Sequence, residues 1–232
     1  MRSAMSMLEL VVAIVVMGIV VMSLPLILTQ VQNNNAFAMQ QEAILAAKAK
    51  IGDVLTYEWD ANSYSAADQR SYVLDTASDS ELSRVVGTSR RIGHVNVDSR
   101  RKLFDAVVTP TSVANLGNDG TLNDIDDFSG LPAVALTVTA GKDAQNLDYI
   151  FNLNLTTTVT YAADAANYTS STIGTFVFNP DNNAIVTNIK TVSVQVSGAQ
   201  NTITLRAFSC NIGESSLLPS RLYQLKNTLH LR

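Results

Sequence analysis

Glu9 directly precedes an apolar run, Leu10 to Leu28, that contains no charged residue. An ionised side chain at the edge of such a stretch costs up to about 3 kcal/mol on the milder insertion scales, so a carboxylate there usually serves a function. The chemistry it offers is charge pairing with another subunit. Two further groups of charges carry potential chemistry. Asp119, Asp124, Asp126 and Asp127 fall within the stretch from Asn118 to Asp127, and hard oxygen ligands in a loop suit Ca²⁺. Their spacing matches no EF-hand, because neither the alternating early ligands nor a terminal Glu is present. A solvated acidic loop is therefore the expectation and a calcium site the alternative. Arg84, Arg90, Arg91, Arg100, Arg101 and Lys102 form a basic stretch around His94, which could meet DNA phosphates. It lacks interleaved aromatic residues on which bases would stack, so nucleic acid is not the expected partner. Solvated surface, or pairing with the acidic loop of a neighbouring subunit, is the expectation.

The remaining chemistry is sparse. The two histidines, His94 and His230, have no Cys, Asp or Glu at metal-ligand spacing, and no G-x-S-x-G, phosphate-binding glycine loop or H-E-x-x-H occurs. No enzymatic activity and no cofactor are expected. Cys210, the single cysteine, cannot form an intramolecular disulfide and reads as a half-buried strand residue.

These residues need elements to position them. The 232 residues suffice for one domain of moderate size besides the N-terminal segment, and the formal charge of −4 argues against generic nucleic-acid binding. Leu10 to Leu28 has a helical length close to the hydrocarbon thickness of a membrane, at about 1.5 Å per residue. From Leu10 to Ala47 the only charge is Glu42, so Arg2 alone biases the N-terminus to the cytoplasmic side and the body to the exported side. Beyond Leu28 the pattern turns amphipathic. Phe37, Ile44 and Ile51, with Ala47, Val54 and Leu55, predict one apolar stripe of a helix running to about Glu58 or Trp59. Pro25 lacks the amide hydrogen that would bond the carbonyl of Val21, which predicts a kink or a melted turn, and Gly18 weakens the helix further.

After the turn-prone segment from Trp59 to Ser63, residues 60 to 105 read as an irregular connection with one short helix near Ser80 to Val86. Period-two segments follow at Val134 to Thr139 and Tyr149 to Leu155, and Val192, Val194 and Val196 form a hairpin with Ile203, Leu205 and Ala207. Phe176 and Phe178 are separated from Ile185 and Val186 by a turn at Asn179 to Asn183. Each strand has one apolar and one hydroxyl-rich face, the pattern of an antiparallel sheet covered on one side, most simply by the helix stripe. Leu222, Leu225 and Leu229 lie at helical spacing and read as a C-terminal docking helix. The expected fold class is α+β: a long N-terminal α-helix packed on an antiparallel β-sheet.

The opening, Met1-Arg2-Ser3-Ala4-Met5-Ser6-Met7-Leu8-Glu9 followed by the apolar run, resembles the N-terminus of type IV prepilins and type II secretion pseudopilins. Those chains carry a short leader ending in a small residue, then an apolar residue, with Glu fifth after the cut. Ala4 stands where the family usually has glycine, and Pro25 comes one position before its habitual proline. The resemblance implies a leader over 1–4, cleavage between Ala4 and Met5 by a prepilin peptidase, and N-methylation of Met5. It implies a helix over 5–58, with 5–28 as membrane anchor and filament core and 29–58 amphipathic, and a globular β-rich exported domain over 59–232. Glu9 would pair with the amino group of an adjacent subunit, and the stretch from Gly18 to Pro25 would unwind in a filament. The implied partners are the peptidase, other pilin or pseudopilin subunits, an inner-membrane assembly platform and, before assembly, lipid. The location implied is the inner membrane, then a pilus or periplasmic pseudopilus.

Two other readings compete. Leu10 to Leu28 could be a plain signal anchor bearing an exported adhesin or ligand-binding domain, which leaves Glu9 unexplained. Alternatively Ala36-Phe37-Ala38 is a signal-peptide site releasing a protein that begins at Met39, although that site lies well past the end of the apolar run.

Overall fold

A computed structural model describes residues 7–76, 80–92, 101–117, 119–143, 146–164, 172, 178–180, 185–198 and 201–214. Its first element, α1 (Met7–Val54), is one unbroken helix of 48 residues, about 70 Å long at the usual rise. Pro25 lies inside it, so of the kink or melted turn expected at Pro25 the melted turn is not present in this single chain, while the unwinding from Gly18 to Pro25 is an expectation for a filament. Local side chains cap carbonyls on either side: Ser23 Oγ donates to Val20 O at 2.9 Å and Thr29 Oγ1 to Pro25 O at 2.9 Å. The helix also stops short of Glu58. Thr56 N and Tyr57 N bond back three residues, to Asp53 O and Val54 O, a tightening that ends the α-helical ladder.

Short strands β1 (Tyr64–Ser65) and β2 (Arg70–Ser71) pair with each other. The expected helix at Ser80 to Val86 is reduced to a single 3₁₀ turn, Ser80–Leu82. The main sheet comprises β3 (Val134–Asp143), β4 (Asn146–Asp164), β6 (Ile189–Ser197) and β7 (Ile203–Cys210), hydrogen-bonded in the order β3-β4-β6-β7, with β5 (Phe178–Asn179) paired to the end of β4. All pairings are antiparallel. The expected final hairpin forms in register, Val196 opposite Ile203, Val194 opposite Leu205 and Val192 opposite Ala207. Gly198 follows β6 with φ +104°, and a Cβ there would lie 2.2 Å from Asn152 O. Glycine is required at that turn. β4 runs well past the expected Leu155 because its inward parity continues through Thr157, Val159 and Tyr161, all buried.

α1 packs on β6, β7 and β4, and the sheet is covered by the helix as expected, through part of the expected stripe: Ala47, Ile51 and Val54 face inward, but Phe37, Ile44 and Leu55 do not. Ala43, Ala47, Ile51 and Val54 are buried, whereas Phe37 and Ile44 are exposed at 61% and 44%. The inward row is set by small side chains that let the helix backbone approach the β-branched face of Val192, Val194 and Val196. Each of these buried valines is worth roughly 1.5–3 kcal/mol. The core is completed by Trp59, Leu74, Ile125, Phe128, Leu153, Leu155, Val159 and Tyr161. β3 pairs with the first half of β4 and β6 with the second, so β3 projects beyond the helix. Val134 and Leu136, expected on a covered face, are exposed for that reason. Phe176, much of the turn after Asn179 and the C-terminal segment from Leu222 to Leu229 lie outside the described residues.

Candidate functional site

α1 divides into two surfaces. Its apolar N-terminal window is long and apolar enough to cross a membrane, and none of it is buried in the folded domain. Glu9 lies on this exposed part, in the first turn of the helix, where the positive end of the helix dipole favours a carboxylate. The C-terminal third of α1 carries the domain. Ala4 and Met5 lie outside the described residues. Gly18 faces open space, with no atom within 4 Å of where a Cβ would stand.

The second concentration of charge lies beneath the exit of α1, around a lysine. Strand parity puts Lys190 on the same inward face as Val192, Val194 and Val196, and its side chain is fully buried. Its ammonium donates to Trp59 O at 2.8 Å, to Asp60 Oδ2 at 3.0 Å and to Asp126 Oδ1. Three donors thus meet three acceptors. The Trp59 ring lies 4.5 Å from Nζ and the Tyr161 ring 5.5 Å, adding cation–π attraction in a dry site. Tyr161 donates its hydroxyl to Thr111 O at 2.6 Å. Burial first, then the neighbouring carboxylates of Asp60, Asp126 and Asp124, drive that hydroxyl far above its ordinary range.

Asp124, Asp126 and Asp127 are buried, not solvated, which corrects the expectation of a wholly solvated acidic loop. Asp124 Oδ1 accepts from the amides of Asp126 and Asp127, and its Oδ2 accepts from Ala61 N at 2.6 Å. Asp127 Oδ2 reaches back to the amides of Asn123 and Asp124. This reciprocal capping builds the 3₁₀ turn Asp126–Phe128 and ties it to the chain leaving α1. Desolvation, then the Asp126 charge, pushes the Asp124 carboxyl up to about 7. Asp126 is pushed up as well by burial, against the pull of Lys190. Asp119 alone is exposed, accepting from Thr121 N at 3.1 Å. Among the described residues no group of three or more His, Cys, Asp or Glu is arranged to hold a metal ion.

The basic stretch also divides. Arg84 is a half-buried brace rather than solvated surface: it grips both oxygens of Asp75 at 2.9 and 2.6 Å and donates to the carbonyls of Thr88, Phe104 and Ala106. Arg91 donates to Asn211 O and Asn188 Oδ1. Lys102 sits over the Tyr72 ring and 3.8 Å from Asp105. Arg90 and Arg101 are exposed, and Arg100 lies outside the described residues. The stretch therefore does not present all its charges on one surface.

No family model, curated protein or solved structure matches this chain. Its own geometry has to carry any functional reading. Sequence reasoning missed Lys190 and Asp60, although the signal was present. Extending the alternation of β6 back by one step places a lysine among core valines, and a buried lysine demands acidic partners. Cys210 ends β7 half-buried, where it was expected.

Proposed function

We propose that this chain is a structural subunit of a type IV pilus or type II secretion-like filament, of the minor pilin or pseudopilin kind. The observation that supports it is a helix with an apolar half that is wholly outside the domain and a second half that is sheet-bound. Such a helix must place its free half in lipid or against other copies. The precursor sits in the inner membrane through Leu10 to Leu28, its globular domain exported. A prepilin peptidase cuts between Ala4 and Met5, and the assembly platform extracts the subunit into a filament. There the new amino group of Met5, N-methylated, meets Glu9 of a neighbour. Opposite unit charges about 4 Å apart at an effective dielectric near 20 attract by roughly 4 kcal/mol. That is comparable with the cost of placing Glu9 there, so the pair sets register more than it adds stability.

Mass spectrometry of the mature N-terminus tests the reading. A start at Met5 supports a filament subunit, an uncut chain supports a plain anchor bearing an adhesin-like domain, and a start at Met39 supports a secreted binder. Glu9→Ala should leave membrane insertion intact and abolish recovery of the subunit in sheared or cross-linked filaments. Normal incorporation of that variant would remove the pairing mechanism.

A further inference from the structure

We infer that Lys190 and Asp126 are placed to condense into an intramolecular amide, a covalent cross-link between β6 and the 3₁₀ turn. Three features of the site lead there. The amine and its acceptor are in hydrogen-bond contact and essentially without solvent, with Lys190 0% and Asp126 2% exposed. Held reactants of this kind have very high effective concentrations. A second carboxylate stands ready as a base: Asp60 Oδ2 accepts from Lys190 at 3.0 Å. Asp60 is itself locked by the amides of Asn62 and Thr111 at 3.0 and 2.8 Å. Finally, Asp124 adjoins Asp126, accepting its backbone amide at 2.8 Å, and burial raises both carboxyls, so a proton is at hand for the Asp126 carboxyl.

The reaction balances within the site. Asp60 takes one proton from the ammonium, and the free amine attacks Cγ of the protonated Asp126. The C–N bond forms, the C–O bond breaks, and the departing hydroxyl leaves as water with a second nitrogen proton. The third proton of the original ammonium stays on the amide nitrogen, and Asp60 keeps the first. No oxidant or co-reactant is needed. The product has exchanged a buried ion pair for a neutral amide and a neutral acid, which removes the cost of keeping desolvated charges. The Trp59 and Tyr161 rings exclude the water that hydrolysis would require.

The bond would join positions 64 residues apart. Because Asp124 also holds Ala61 N, it would connect the chain leaving α1 to the middle of the sheet. Tension on the helix would then reach β6 through the Asp124–Ala61 hydrogen bond and, beyond it, the covalent link.

The test is the intact mass of the full chain purified from membranes in detergent, followed by peptide mapping. The expected result is a mass one water below that of the sequence from its determined N-terminus, with a branched peptide joining Lys190 to Asp126. Asp126→Asn should converge on the same final mass by losing ammonia, and Asp126→Ala should retain its full mass. A wild-type chain of full mass with the two peptides recovered separately overturns the inference. So does loss of water without a branched peptide, as a cyclised aspartate would give. The mass readout is independent of filament assembly.

Discussion

Asp124 is asked to do two things that conflict. Its oxygens cap the 3₁₀ turn and hold Ala61 N, which favours a carboxylate, yet it is buried beside Asp126, which favours the acid. Burial wins, and the folded state keeps a proton that the unfolded chain releases near the ordinary 3.8. The folded state therefore binds more protons between about pH 4 and 7, and stability falls as pH rises through that window. The contribution is fully present below 3.8 and lost once the pH passes about 7. Denaturant midpoints should fall from pH 5 to pH 8 for the wild type and change less for Asp124→Asn, whose neutral amide lacks this slope, so the two chains should differ by more at pH 8. Identical pH profiles would exclude the assignment. The same cluster marks what was legible at this scale. The acids were visible as a group, but their burial was not, because their partner Lys190 lies in a strand remote in sequence.

At the scale of elements, alternation made the β6–β7 hairpin readable to the residue, since one face of each strand must be apolar when the other is wet. The helix was readable as an element but only partly in phase. The expected stripe of Phe37, Ile44 and Ile51 with Ala47, Val54 and Leu55 holds at Ala47, Ile51 and Val54, but the fold takes Ala43 into the inward row and leaves Phe37, Ile44 and Leu55 outside it. Hydrophobicity alone does not rank alanine above phenylalanine; only the flat, β-branched sheet surface does, by rewarding close approach. Ala47→Leu should therefore destabilise the domain by about 1–3 kcal/mol, the cost of overpacking a filled interface. Phe37→Ser should change stability by no more than about 0.5 kcal/mol, as expected of an exposed site. Urea unfolding followed by Trp59 fluorescence measures both, because Trp59 is in the core. Equal effects at the two positions would contradict the phase of the helix.

For the whole molecule, the energetic separation between the two halves of α1 governs behaviour. The apolar window makes no buried contact with the domain, whereas the row Ala43, Ala47, Ile51 and Val54 is buried against the sheet. Removing everything before Gln32 therefore deletes surface that demands lipid or other copies, and it removes nothing from the core. An isolated helix of the remaining length would be marginal in water, but here its inward row is held by β6, β7 and β4. The shortened chain should fold without detergent and sediment as a monomer. Its thermal unfolding should be cooperative, with a Tm within a few degrees of that of the full chain in detergent. Loss of cooperative unfolding would mean that the N-terminal half does support the domain. A shortened chain that still associates would place a second self-contact on the domain itself, where Phe37, Ile44 and the uncovered face of β3 are the exposed apolar surfaces available to make it.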